Sequence, residues 1–116
     1  MDALEKLIDL SGLVVADIGA GTGRATMRIA RKAKKVYAVD AYRSVVEFGT
    51  RQAEAALLTN IQYIKGDRSH LPLDDASVDA VTCAWAELNY GETERVLKNR
   101  GYLIHMGCVP ACSAAR

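Results

Sequence analysis

The chain has 116 residues, half of them apolar, which is enough for one compact core and too few for two comfortable ones. Its 15 basic and 14 acidic side chains nearly cancel, so no summed field draws the molecule toward nucleic acid or an anionic membrane. No run approaches the ~20 uninterrupted apolar residues of a membrane span. The start Met1-Asp2-Ala3-Leu4-Glu5-Lys6 lacks the basic-then-apolar layout of a signal peptide. Three cysteines make a poor disulfide framework and fit a reducing compartment. The expectation is a soluble cytoplasmic protein, a single domain over residues 1–116 with an irregular tail over 107–116.

In chain order, Leu4, Leu7, Ile8 and Leu10 recur at helical spacing, and Ser11-Gly12 closes that helix. Leu13-Val14-Val15-Ala16 reads as a buried strand running into Asp17-Ile18-Gly19-Ala20-Gly21-Thr22-Gly23. A helix starting at Thr22 or Gly23 carries Ala25, Met27, Ile29, Ala30 and Ala33 on one face, with Arg24, Arg28, Arg31 and Lys32 outward as a solvated face. Val36-Tyr37-Ala38-Val39 is a second strand ending at Asp40, followed by a helix from about Ser44 to Leu58 with Asn60 as its C-terminal cap. Ile61-Gln62-Tyr63-Ile64 is a third, half-buried strand; Gly66-Asp67 turns out of it and Leu71-Pro72-Leu73 crosses a short loop.

Val78 to Ala84 supplies a fourth strand, and a helix from Asn89 or Gly91 to Lys98 leads through the turn Asn99-Arg100-Gly101 into a fifth, Tyr102-Leu103-Ile104-His105-Met106. Strands alternating with helices predict an α/β fold around a mainly parallel sheet. Cys108 and Cys112 lack the second cysteine or histidine pair of a zinc site, so the tail reads as ordinary thiols and no metal is expected.

A strand that enters alternating glycines and then a helix brings backbone close to a ligand, because glycine tolerates positive φ and has no side chain to collide. Amides at such a helix start favour an anionic group. A dinucleotide fingerprint would have its third glycine at position 24, where Arg24 stands, so the spacing argues against NAD. A triphosphate loop would need a Gly-Lys-Ser/Thr ending, which is absent. Asp40, ending the next strand, projects from the same carboxyl edge as the glycine loop.

With Asp17 to Gly23, Asp40 and Gly66-Asp67 in this order, the sequence resembles the class I S-adenosylmethionine-dependent methyltransferases. The stretch from Gly66 to Val81, with its Leu-Pro turn, and Glu94-Arg95-Val96-Leu97-Lys98 before Gly101 extend the resemblance over roughly residues 10 to 106. It implies a three-layer Rossmann-like fold with strand order 3-2-1-4-5. It also implies S-adenosylmethionine as cofactor, S-adenosylhomocysteine as product and an unidentified methyl acceptor as partner.

Carried over residue by residue, the resemblance implies that Gly19, Ala20, Gly21 and Gly23 hold the methionine part of the cofactor. Asp17 would serve its amino group, often through water, and Asp40 its ribose. Asp67 would accept from the adenine amine, with Ala41, Tyr42 and Arg68 packing near the ring. The end of the fourth strand, Cys83, Ala84 and Trp85, would approach cofactor and substrate, although Cys83 by type reads as a buried small hydrophobe ahead of a thiol nucleophile or soft ligand. Trp85 and Tyr90 either line a substrate pocket or pack at the sheet's end. Asp79 reads as structural, since it begins its strand at the opposite edge.

The family's sheet has seven strands with an antiparallel pair after the fifth, whereas this chain stops after five. The strand around Leu103 would then be an open edge, which invites a homodimer or a partner chain. Three functions compete: a methyltransferase with no identifiable catalytic residue, a cofactor-binding module or a truncated fragment that needs a partner chain, and a different nucleotide-binding Rossmann protein.

Overall fold

A computed structural model of the chain describes residues 9–21, 23–84 and 87–106. The elements are β1 (Val14–Ile18), α1 (Arg24–Ala30), β2 (Lys35–Asp40), α2 (Arg43–Ala55), β3 (Ile61–Lys65), β4 (Val78–Ala84), α3 (Tyr90–Val96) and β5 (Leu97–Met106). The five strands form one sheet in the order β3-β2-β1-β4-β5, parallel throughout, as the strand-helix alternation predicts. The helix expected through Leu4, Leu7 and Ile8, and the tail with Cys108 and Cys112, lie outside the described residues.

Period-two alternation divides the apolar side chains between two cores. Val15, Val36 and Ala80 pack with Ile29, Ala30 and Ala33 on the face covered by α1. Ala16, Val39 and Val81 pack with Leu71 and Val96 on the other, beneath α3. Strands buried on both faces are the expected companions of parallel pairing. The chain moves outward from β1 to β3 and then returns to place β4 against β1. Strand order therefore reverses at β1, and the crevice beyond the carboxyl ends at such a point is where open α/β sheets bind ligands.

Register sets the site. Ile18 pairs with Val39, Val39 with Ile64, and Asp40 with Lys65. The glycine loop after Ile18, the segment after Asp40 and the Gly66-Asp67 turn consequently leave adjacent strands at the same level. Asp79 sits at the far edge as expected: its Oδ2 accepts from Val14 N at 2.8 Å and its Oδ1 lies 3.4 Å from Lys98 Nζ.

Several boundaries differ from the periodicity reading. Helix α1 stops at Ala30, and Asn60 caps this helix rather than the one before it in sequence: its Nδ2 donates to Ala30 O (2.7 Å) and Ala33 O (3.1 Å). Helix α2 ends at Ala55, three residues before Leu58. Its end is a Schellman motif, with Leu58 N donating to Ala53 O, Leu57 N to Glu54 O, and Leu57 at φ 60°.

That position ordinarily takes glycine, and Leu57 is 85% exposed, so its side chain gives little packing in return for the strain. Leu57→Gly is expected to stabilise the fold by about 0.5–1 kcal/mol, which urea unfolding measures. A destabilised variant would show that the leucine side chain contributes more than its exposure implies.

Helix α3 ends at Val96 instead of Lys98, because strand pairing already begins at Leu97. The expected turn at Asn99-Arg100-Gly101 survives as a bulge inside β5: Val78 pairs with Leu97 and Ala80 next with Tyr102, while Arg100 adopts φ 66°. Among the described residues β5 pairs only with β4, and its Tyr102 and Leu103 are exposed. No described helix is long and apolar enough to cross a membrane.

Candidate functional site

The three segments that leave β1, β2 and β3 together enclose a cleft of about 380 Å³, within the range that holds a small organic ligand. Gly19 and Gly21 line it from β1's end; Asp40, Ala41 and Tyr42 from β2's; Gly66, Asp67 and Arg68 from β3's. Seven expected residues, Gly19, Gly21, Asp40, Ala41, Tyr42, Asp67 and Arg68, thus meet in one cleft, although they are spread over 50 positions of sequence from 19 to 68.

The glycine loop is shaped by positive φ at Gly19 (69°), Gly21 (60°) and Gly23 (85°). Gly19 N donates to Val39 O at 2.8 Å and Gly21 N to Asp40 Oδ2 at 3.1 Å. A side chain at Gly21 would meet nothing closer than Gly19 O, at 3.9 Å. Its glycine therefore serves the backbone angle and leaves an open approach for a ligand; no protein atom requires the space. Asp40 is 9% exposed, and its second oxygen accepts from Tyr42 N at 3.1 Å. One carboxylate thereby joins the glycine loop to the start of α2.

Asp67 shapes its own turn: Oδ1 accepts from Ser69 N at 2.8 Å and its carbonyl from His70 N. A Cβ on Gly66 would come within 2.6 Å of the Pro72 ring, so the Leu71-Pro72 loop folds directly over this glycine. Arg95 clamps that loop by donating to Leu71 O and Leu73 O, both at 2.9 Å, and by pairing with Asp75 at 2.7 Å. Glu92 accepts from Leu71 N and pairs with Arg95, which holds its carboxyl at about 2, well below the usual range. The Leu-Pro turn and the Glu-Arg helix, separate signals in the sequence, are thus two halves of one contact. Asn89 starts that helix, its side chain accepting from Glu92 N at 2.9 Å.

Asp17 does not line the cleft. It lies beneath the glycine loop, 6% exposed, with its oxygens accepting from Thr26 Oγ1 (2.5 Å) and Thr82 Oγ1 (2.9 Å). It joins β1 to α1 and β4, and burial pushes its carboxyl above the ordinary value against the pull of the two hydroxyls. Ala20, Gly23, Cys83 and Tyr90 are also absent from the lining. Ala20 O accepts from Gly23 N at 3.2 Å inside the loop, Cys83 is fully buried in the core beneath α3, and Tyr90 opens α3 half-exposed. Trp85 lies outside the described residues.

The lining includes Ile18, Val39, Val45 and Glu87, which the motif reading passed over. Ile18 ends β1 and Val39 is the residue before Asp40 at the end of β2, so both stand beside the motif positions in the sequence. Glu87 carried no such signal: it reaches the rim through a 3.2 Å contact with Arg68. Among the described residues no cluster of three or more His, Cys, Asp or Glu is arranged to hold a metal.

The chain matches the family described as Methyltransferase domain over residues 15–101. It is 31% identical over 87 residues to the demethylmenaquinone methyltransferase of Thermobifida fusca, covering 75% of this chain and 37% of that protein. The crystal structure of YcgJ from Bacillus subtilis superposes with a TM-score of 0.81 at 28% identity, over 88% of this chain and 48% of that one. The Haemonchus contortus phosphoethanolamine N-methyltransferase 1, solved with phosphoethanolamine and S-adenosylhomocysteine, gives a TM-score of 0.75 at 35% identity, over 88% of this chain and 23% of that one. The chain spans less than half the length of these relatives.

Proposed function

This chain belongs to the methyltransferase domain family, and we propose from that premise that its cleft binds S-adenosylmethionine and presents the methyl group to an acceptor. Asp40 carries the proposal. Its position at the end of β2, bonded to the glycine loop and lining the cleft, puts a carboxylate where both hydroxyls of a ribose can donate. Gly19 and Gly21 offer an open backbone for the methionine part, and Asp67 an acceptor for the adenine amine beside Ala41, Tyr42 and Arg68. Asp17 supports this loop from below, through Thr26 and Thr82.

When bound, S-adenosylmethionine supplies a methyl group already made electrophilic by its sulfonium. The chain's task is then to bind, orient and exclude water, so that proximity supplies most of the acceleration. A second reading is a binding module that relies on further residues for the acceptor. What favours it is that Asp40 and Asp67 accept from backbone N–H groups of Gly21, Tyr42 and Ser69, an arrangement suited to holding a ligand rather than to moving protons. The odd cysteine count fits a cytoplasmic location. The open edge of β5, with Tyr102 and Leu103 exposed, is where a second copy or partner chain would pair.

Calorimetric titration of the full chain tests the cofactor. S-adenosylhomocysteine is expected to bind one to one and NAD not at all; binding of NAD alone would overturn the proposal. Transfer of labelled methyl to candidate acceptors then separates enzyme from module, and solution mass reports edge pairing.

A further inference from the structure

Tyr63 points from β3 toward α2 and the end of the glycine loop, and two glycines make room for it. A Cβ on Gly49, in the middle of α2, would overlap the Tyr63 ring, and a Cβ on Gly23 would overlap its hydroxyl. With the ring seated on Gly49, the hydroxyl lies against Gly23, the left-handed residue that joins the loop to α1. That hydroxyl is buried and makes no hydrogen bond of full geometry among the described residues, with the Thr26 hydroxyl as its polar neighbour.

A buried polar atom without a full hydrogen bond calls for a reason. Phenylalanine would give the same ring packing on Gly49 without burying an oxygen. What the oxygen adds is bulk at one place: it fills the space where every residue but glycine carries Cβ. Gly23 in turn donates to Ala20 O and accepts from Met27 N, and Gly21, two residues earlier, donates to Asp40. Movement at Gly23 is therefore passed along the loop to Gly21, which lines the cleft and is bonded to Asp40.

We propose that Tyr63 is a positioning residue for cofactor binding, a strut from β3 whose ring seats on Gly49 and whose hydroxyl holds Gly23, and with it the glycine loop, in its binding conformation. The proposal rests on the cofactor reading above. It also gives the sheet's edge strand a function: β1 anchors the loop through Asp17, β2 through Asp40, and β3 through Tyr63. Burial, against the pull of the Thr26 hydroxyl and reinforced by the nearby Asp17 charge, pushes the phenol above its ordinary value, so the strut is neutral.

The test is Tyr63→Phe in the full chain, read in three ways. Amide hydrogen exchange at Gly21 and Gly23 in the ligand-free protein is expected to quicken about 3–10-fold, S-adenosylhomocysteine affinity to fall by about the same factor, and the melting temperature to stay or rise, since local opening and global stability are separate quantities. Exchange and affinity equal to wild type would overturn the strut. Gly23→Ala supplies the second variant. Its methyl would meet Tyr63 Cζ at an ordinary 3.6 Å once the hydroxyl is gone, so Gly23→Ala is expected to weaken binding less in the Tyr63→Phe background than in wild type. Additive losses would overturn the proposal as well. Should wild type fail to bind S-adenosylhomocysteine, the cofactor reading falls, while hydrogen exchange still decides whether Tyr63 holds the loop.

Discussion

Under the proposed ribose role, Asp40→Ala is expected to weaken S-adenosylhomocysteine binding by about 100-fold or more, because two charge-assisted hydrogen bonds would be lost and each is worth about 1.5–3 kcal/mol. Part of the loss comes from the protein itself. Gly21 N and Tyr42 N both lose their acceptor, so the loop opens and the fold weakens by about 1–3 kcal/mol. Asp40→Asn separates the two contributions. It keeps one acceptor of the same shape but sets its Nδ2 against the other backbone N–H, and is expected to recover part of the stability while binding about tenfold more weakly than wild type. Calorimetry beside thermal unfolding reads both. Affinity within about twofold of wild type in Asp40→Ala would remove the ribose from this carboxylate.

The second large effect belongs to Asp17. Asp17→Ala strands two buried hydroxyls, Thr26 and Thr82, each without exposed surface, and is expected to cost about 2–5 kcal/mol. Asparagine can accept from one threonine and donate to the other while carrying no charge to desolvate. Its comparison with wild type depends on pH in a defined direction. Burial raises the native pKa of Asp17 above the ordinary 3.8. Below that value both states are protonated. Above it the unfolded chain ionises first, the native state holds the extra proton, and stability falls as pH climbs through the raised native value. Asp17→Asn lacks this titration, so its stability relative to wild type is expected to increase as pH rises above the ordinary carboxylate value of 3.8 in urea unfolding. Parallel profiles, or wild type gaining on the variant as pH rises, would contradict a carboxylate held at a desolvation cost.

Much of the fold follows from rules that act within a few residues. Val14 to Ile18 and Val78 to Ala84 are apolar runs of strand length; Asn89 followed by Glu92 is a helix start; Gly19, Gly21 and Gly23 stand where the backbone needs positive φ. The cleft was legible for a related reason. In a parallel sheet every motif loop leaves by the carboxyl edge, so Asp40 and Asp67 were bound to gather beside the glycines once strand order was inferred.

What local rules omit is which faces meet. Asn60 sits after α2 in sequence but caps α1, because β3 brings it beside Ala30. Arg95 lies 22 and 24 residues from Leu73 and Leu71 in sequence, yet it grips the loop at both carbonyls. Asp17, expected to serve the cofactor's amino group, often through water, has its carboxylate bonded to Thr26 and Thr82 beneath the glycine loop. By itself the sequence determined the order of elements, the backbone angles of the loop and the edge where the carboxylates gather, since these depend on periodicity and on each residue's own conformational preference. Only the tertiary structure decided whether each polar group faces the cleft, a helix end or the buried space under the loop, because such partners lie tens of residues apart and are chosen by the register and packing of the whole sheet.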